Sequence, residues 1–248
     1  MNNEFDNKTK EYALGRPSYP VDILRILREL GVNNQSVIAD IGAGTGILTH
    51  MLGSLECSVL AIEPNQHMLD ECRTYCKGYK NIQFIDAPAE ETTLKENSVD
   101  IITIAQAFHW FDKQLCKREF KKILKEDGYV LILWNEMQTD SQLAQEYTSL
   151  LRKYRVKSTA GISNIDPDKE KLDFFGQDYT KVYFDNWQTV TEEGFIGGAM
   201  SLSYTPSKKD EIYADFASEL RFLFSTYQQN DKVTFQYKTE VCICRFSR

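Results

Sequence analysis

A run of alternating glycines follows the first apolar segment whose pattern predicts a buried strand. Asp40 precedes Gly42, Gly44 and Gly46, and the residues after Gly46 have the apolar spacing of a helix. Glycines at such a turn let the backbone pass close to a ligand, because no Cβ atom stands in the way. Open α/β sheets bind their ligands at the carboxyl ends of strands. The run therefore predicts a ligand-binding loop between a strand and a helix.

The residues around these glycines separate three kinds of binding loop. A loop that binds nucleoside triphosphates ends in Gly-Lys-Ser or Gly-Lys-Thr, whereas Ile47 and Leu48 follow Gly46 here. A dinucleotide loop has the spacing G-x-G-x-x-G, which requires a glycine where Ile47 stands. The third pattern, D-x-G-x-G-x-G, matches at every fixed position from Asp40 to Gly46. This is the loop of Rossmann-like methyltransferases.

An acid at the end of the next predicted strand completes the pattern. Glu63 stands where a carboxylate accepts both hydroxyls of an adenosine ribose, which NAD and S-adenosylmethionine share. Asp40 favours the second ligand, because a negative charge beside the glycines repels a pyrophosphate and suits an ammonium group. A short-chain dehydrogenase would also need Tyr-x-x-x-Lys on a helix. Tyr204 and Lys208 have that spacing, but Pro206 between them disfavours a continuous helical face.

Apolar strands that alternate with helices indicate a doubly wound α/β fold. Residues 1–248 are predicted to form one domain with a Rossmann-like sheet, mostly parallel with an antiparallel last strand, and a helical cap. Its parts are a cofactor-binding core at 20–136, cap helices and a sixth strand at 137–230, and a closing strand at 231–248. One helix is expected to run from Phe111 to Gly128. A Gly/Ser/Asn/Pro-containing loop is expected at 158–168.

Composition excludes several classes of partner and site. The 248 residues carry 29 Lys and Arg against 36 Asp and Glu, a net charge of −7, which disfavours nucleic acid as a partner. No uncharged apolar run approaches the roughly 18 residues of a membrane span, and the polar start lacks a secretory signal. We expect a cytoplasmic monomer or weak homodimer. A zinc site from Cys72, Cys76, Cys242 and Cys244 is conceivable, but their irregular spacing favours reduced thiols and no metal.

With these residues the chain resembles the class I S-adenosylmethionine-dependent methyltransferases. Within them it is similar to the methyltransferase type 11 group, which includes trans-aconitate methyltransferase and the yeast enzyme that detoxifies cantharidin. Three segments carry the resemblance: Tyr12 with the run from Arg16 to Pro20, the glycine loop, and the run from Ala105 to Phe111.

The resemblance implies S-adenosylmethionine as cofactor and a role for each matching residue. Gly42, Ala43 and Gly44 would pass under the methionyl part, Glu63 would hold the ribose, and Asp40 would favour the ammonium group. Pro64, Met68, Ala89 and Glu90 would border the adenine, although Pro88 replaces an Asp that many relatives use there. The backbone of Gln106 and Ala107 would meet the methionyl amino group. Tyr12 and Arg16 would close over the cofactor, and Trp110 would face the sulfonium charge.

The sequence allows two roles for His109 and more than one kind of methyl acceptor. His109 is either a general base for a hydroxyl acceptor or a residue that seats its loop. We expect methyl transfer to a small molecule, at a carboxylate or hydroxyl oxygen. No Asn/Asp-Pro-Pro-aromatic segment, the mark of enzymes that methylate nucleic-acid bases, follows the fourth predicted strand. A catalytically idle domain that binds the cofactor and an NAD-type dehydrogenase are the alternatives.

Overall fold

Strands and helices alternate along the chain as the apolar pattern predicts. The structure, a computed structural model, describes residues 15–156 and 166–246. The helices are α1 (Asp22–Glu29), α2 (Ile47–Leu52), α3 (Gln66–Tyr75), α4 (Lys113–Ile123), α5 (Gln142–Lys153), α6 (Pro167–Phe175), α7 (Glu192–Met200) and α8 (Tyr213–Tyr227). The strands are β1 (Val37–Ile41), β2 (Ser58–Ile62), β3 (Ile82–Ile85), β4 (Val99–Ala105), β5 (Leu124–Met137), β6 (Thr180–Val190) and β7 (Val233–Arg245).

The strands form one sheet in the order β3-β2-β1-β4-β5-β7-β6. The pairs β3–β2, β2–β1, β1–β4 and β4–β5 are parallel, and the sheet as a whole is mostly parallel with an antiparallel pair. The strand order reverses between β1 and β4, and in open α/β sheets ligands bind at such a switch point. The predicted fold class is confirmed, and the glycine loop follows β1 at this point.

Helices cover both faces of the parallel strands. On one face, Leu27 of α1, Leu52 of α2 and Cys72 of α3 pack with Ile38 of β1. On the other face the core is formed by residues of α4, α6 and the strands, among them Phe120, Phe174, Ile41, Ile104 and Ile132. Strands buried on both sides have continuous apolar sequences, which is why the apolar runs predicted their positions.

The described residues divide into two compact units. The first comprises 19–135, 166–184 and 239–246, and the second comprises 15–18, 136–156 and 185–238. The core of the second unit consists of apolar residues of α5, α7, α8 and β7, including Tyr147, Phe195, Phe216 and Phe235. The predicted single domain with its three parts stays a prediction, and residues 166–184 belong to the unit that contains the glycine loop.

One element prediction was wrong, and one helix was not predicted. The helix expected to end at Gly128 ends at Ile123, because Leu124 is buried and pairs with Val99 as the first residue of β5. Lys125 then forms an ion pair with Asp100 of β4 at 2.8 Å, which holds this charged segment in the strand. Helix α6 was not predicted, although Asp166 caps it and Pro167 occupies its first turn.

The structure shows the state of the cysteines and the character of the helices. All six cysteines lie in the described residues as buried free thiols, an arrangement common in reducing compartments. Among residues 15–156 and 166–246, no helix combines the length and apolar character that crossing a membrane requires. The cytoplasmic location stays a prediction.

Candidate functional site

The glycine loop turns sharply because three of its residues have left-handed backbone conformations. Gly42, Gly44 and Gly46 have φ values of 70°, 57° and 89°, which other residues rarely adopt. The amides of Gly42 and Ala43 both donate to the carbonyl oxygen of Ile62, at 2.9 and 3.0 Å. The loop is thereby fastened to the end of β2, one residue before Glu63.

The three glycines differ in what a Cβ atom would meet. At Gly42 it would lie 2.6 Å from the Cβ atom of Ala107, and at Gly46 it would lie 2.6 Å from Sγ of Cys72. At Gly44 it would meet no atom within 4 Å. Gly42 and Gly46 therefore allow close packing of β4 and α3 against the loop, whereas Gly44 borders open space that a ligand can enter.

Glu63 is tied to the loop by its side chain. Its carboxylate accepts hydrogen bonds from the amides of Gly44 at 2.9 Å and Asn65 at 3.0 Å, and the residue is 7% exposed. Burial raises the pKa of Glu63; these hydrogen bonds oppose the shift, and the charges of Asp40 and Asp86 add to it. The amide of Gly44, which in a dinucleotide site is available to a phosphate, is here occupied by a carboxylate.

Asp40 lies beneath the loop rather than on its open side. It is 1% exposed, and its two carboxylate oxygens accept hydrogen bonds from Thr49 of α2 at 2.6 Å and Thr103 of β4 at 2.9 Å. These bonds connect β1, α2 and β4. The predicted effect of the Asp40 charge on the ammonium group of the ligand stays a prediction.

The buried carboxyl of Asp40 has a measurable consequence for stability. Burial raises its pKa from 3.8 to about 6. The folded chain then binds more protons than the unfolded chain between these values, so this contribution to stability is present below pH 3.8 and is lost as pH rises through 6. We expect Asp40→Asn to remove about 3 kcal/mol of pH dependence from the unfolding free energy. Denaturant titrations of both proteins from pH 3.5 to 7 measure this, and a constant difference would contradict it.

The end of β4 adopts a strained backbone that brings it to the loop. Gln106 has a φ of 57°, which costs a residue with a Cβ atom about 1–2 kcal/mol. Its amide donates to the carbonyl of Leu133 and its side-chain amide donates to the carbonyl of Asn135, both at 3.0 Å. These bonds to β5 hold the turn that places Ala107 against Gly42. Backbone strain of this kind is concentrated at ligand-binding sites.

Three aromatic rings lie near the ends of β4 and β5. His109 and Trp110 follow β4 in the chain, and Trp134 lies in β5. The His109 ring lies 4.7 Å from the ring of Trp110 in a tilted arrangement and 5.3 Å from the ring of Trp134 in an edge-on one, measured between ring centres. Trp110 is 51% exposed and Trp134 is 37% exposed. These three rings are called the aromatic platform below.

The predicted adenine residues follow β2 and β3 in the chain, and Met68 lies in the first turn of α3. Pro64 is exposed, whereas Met68 and Ala89 are 7% and 5% exposed. Glu90 accepts a hydrogen bond from the amide of Asp112 at 2.8 Å, and Asp112 caps α4. Glu90 thus connects the turn after β3 to the start of α4, and its adenine contact stays a prediction.

Comparison with known proteins identifies the part of the chain that holds this site. Residues 39–132 match the family model described as a methyltransferase domain. This part of the chain is therefore similar to methyltransferase domains. An uncharacterized methyltransferase-like protein of Schizosaccharomyces pombe is 26% identical over 240 residues, which is 95% of this chain and 92% of that protein. A Saccharomyces cerevisiae protein named as a probable S-adenosylmethionine-dependent methyltransferase is 28% identical over 158 residues, 62% of this chain and 53% of its own length.

Solved structures share the fold of the methyltransferase domain and its flanking elements. A candidate type II methyltransferase from Anaeromyxobacter dehalogenans has a TM-score of 0.68 at 19% identity, covering 94% of this chain and 98% of its own. A methyltransferase from Aquifex aeolicus has a TM-score of 0.53 at 16% identity, covering 96% and 98%. These likenesses confirm the fold.

The predicted N-terminal contacts lie outside the methyltransferase domain. Tyr12 falls outside the described residues. Arg16 belongs to the second compact unit. Burial raises the pKa of Tyr147, Tyr204 and Tyr237 there, and the charge of the Arg16 guanidinium opposes this shift. Its predicted contact with the cofactor carboxylate stays a proposal.

A cavity of about 440 Å³ lies at the other end of the strands. Its lining includes Asn33 before β1, Asp100 at the start of β4, and Lys125 and Tyr129 in the first half of β5. Asp100 accepts from the amide of Val37 and from Lys125. Ligands of open α/β sheets bind at the carboxyl ends of strands, so this cavity is not the candidate active site.

Trp134 is the residue of this region that sequence reasoning missed. It stands on β5, whose pattern was interpreted only as a buried strand. The available signal was its position directly after the apolar run from Val130 to Leu133, where a parallel strand presents its carboxyl end.

Proposed function

We propose that the chain transfers a methyl group from S-adenosylmethionine to an oxygen of a small-molecule acceptor. The match of residues 39–132 to the methyltransferase domain and the name of the Saccharomyces cerevisiae relative support this proposal. The net charge of −7 and the missing Asn/Asp-Pro-Pro-aromatic segment favour a small molecule over a nucleic acid.

One observation carries the choice of cofactor. The Glu63 carboxylate accepts the amide hydrogen of Gly44, and the charges of Asp40 and Asp86 lie close enough to raise the Glu63 pKa. A pyrophosphate at this loop would face negative charge and would find the Gly44 amide already occupied, whereas a cationic adenosine compound would be attracted. The site therefore favours S-adenosylmethionine over NAD.

The residues at the loop fit this cofactor. The open space beside Gly44 admits the ligand backbone, and each oxygen of Glu63 keeps a lone pair for a ribose hydroxyl. The further contacts that we propose are those that the resemblance implies: Pro64, Met68, Ala89, Glu90, Gln106, Ala107, Tyr12 and Arg16.

Methyl transfer from a sulfonium requires mainly that the protein align the acceptor with the methyl group. S-adenosylmethionine supplies an electrophilic methyl group on a sulfonium sulfur. The chain must hold the acceptor in line with that group and keep water out. A hydroxyl acceptor also needs a base, and His109 is the residue of the aromatic platform whose ring can take a proton.

A transfer assay tests this function. The protein is incubated with S-adenosylmethionine and a panel of small acids, phenols and amines, and the formation of S-adenosylhomocysteine is followed. We expect turnover with an acid or a phenol. Binding of the cofactor without turnover on any acceptor would favour the idle binding domain, and binding of NAD instead would favour the dehydrogenase.

A further inference from the structure

We propose that the aromatic platform of His109, Trp110 and Trp134 binds the methyl acceptor, and that this acceptor is a planar aromatic compound with a hydroxyl group. This inference rests on the proposed methyl transfer and names its substrate class.

The platform is connected to the candidate cofactor loop through short links. Trp110 donates its amide hydrogen to the carbonyl of Ala107 at 2.9 Å, and the Ala107 Cβ atom is the one that lies against Gly42. Trp134 follows Leu133, whose carbonyl accepts from the amide of Gln106. The chain segments that carry the two indoles are thus connected by backbone hydrogen bonds to Gln106 and Ala107, the residues beside the loop.

The exposure of the indoles indicates a ligand with a flat face. Large apolar side chains left open to solvent beside one another are uncommon unless they bind something. The His109 ring contacts both indoles, so the three rings form one group. Indole faces favour planar aromatic partners through stacking and edge-on contacts.

The histidine in the platform indicates the reacting group. A carboxylate acceptor already carries a lone pair and needs no base, whereas an aromatic hydroxyl must lose its proton. In the step we propose, the hydroxyl proton passes to a ring nitrogen of His109 while the oxygen forms a bond to the methyl carbon. The bond between that carbon and sulfur breaks, its electron pair stays on sulfur, and the proton on His109 then leaves to water.

Binding measurements test the platform directly. The protein is first loaded with S-adenosylhomocysteine and then titrated by calorimetry with 2-naphthol and with decahydro-2-naphthol, which has the same skeleton and hydroxyl but no aromatic face. We expect 2-naphthol to bind roughly five- to tenfold more tightly. Trp134→Leu should lose this preference while its affinity for S-adenosylhomocysteine stays that of the wild type.

Trp187 provides the matched control. It is a solvent-exposed indole on β6, 58% exposed, and it is not part of the aromatic platform, so Trp187→Leu should keep the preference for 2-naphthol. His109→Phe retains a ring between the indoles but no nitrogen, and we expect about a 100-fold lower kcat for 2-naphthol with an unchanged KM. An unchanged kcat would remove His109 from the reaction.

Three results would overturn the inference in a protein that binds S-adenosylhomocysteine. They are no binding of 2-naphthol, equal affinity for both ligands, and a preference that survives Trp134→Leu. A wild-type protein that fails to bind S-adenosylhomocysteine would instead overturn the proposed function, so the two failures are distinguishable.

Discussion

Replacing Glu63 with alanine is expected to weaken S-adenosylhomocysteine binding about 10- to 150-fold. The substitution removes a carboxylate that would bind the ribose hydroxyls, and hydrogen bonds to a charged group contribute about 1.5–3 kcal/mol. It also releases the amides of Gly44 and Asn65, which this carboxylate now holds. Calorimetric titration of the wild type and the variant measures the change.

Asp100→Ala is the matched control for Glu63→Ala. Asp100 also accepts a backbone amide hydrogen, from Val37 at 2.8 Å, but it lies at the start of β4, the end of the sheet away from the loop. Asp100→Ala should lower the free energy of unfolding without changing cofactor affinity. Equal affinity for the wild type and Glu63→Ala would remove Glu63 from the site.

Substituting Gly44 with alanine is expected to lower cofactor affinity about 5- to 150-fold. The new Cβ atom would meet no protein atom within 4 Å, so it would occupy the space that we assign to the cofactor. Forcing an extra carbon into a filled site costs about 1–3 kcal/mol. The left-handed φ of 57° adds a separate cost of about 1–2 kcal/mol to folding.

Gly31→Ala separates these two effects. Gly31 also has a left-handed φ, of 94°, and a Cβ atom there would likewise meet nothing within 4 Å, but the residue follows α1. Both variants should lose similar free energy of unfolding, as measured with denaturant. Only Gly44→Ala should lose affinity for S-adenosylhomocysteine, and an equal loss in both would show that backbone strain alone is responsible.

The sequence predicted the loop well because its function depends on local backbone geometry. The spacing of Gly42, Gly44 and Gly46 requires left-handed conformations that only glycine adopts readily, and the apolar runs around it locate the strand and the helix. Glu63 was predicted from its position at the end of β2, and the structure places it 2.9 Å from the Gly44 amide.

The partners of these residues were not predictable because they come from distant parts of the chain. Asp40 is surrounded by hydroxyls of Thr49 and Thr103, and only the neighbouring positions of β1 and β4 bring the second of these to it. Trp134 meets His109 because the ends of β4 and β5 pair, with Ala105 opposite Leu133. Local patterns carry no information about such pairings.

The secondary structure at the start of β5 was also not predictable from the local sequence. The charged residues from Lys125 to Asp127 suit a helix, and the preceding residues of α4 have helical apolar spacing. Pairing of Leu124 with Val99 and the ion pair of Lys125 with Asp100 nevertheless place this segment in the sheet. Tertiary contacts outweighed the local propensity.

Titration of the wild-type protein with S-adenosylhomocysteine and, separately, with NAD tests the central claim most directly. If the carboxylates at the glycine loop select a phosphate-free adenosine compound, S-adenosylhomocysteine will bind with a stoichiometry of one and NAD will produce no heat of binding. Saturable binding of NAD, or no binding of S-adenosylhomocysteine, would contradict the account.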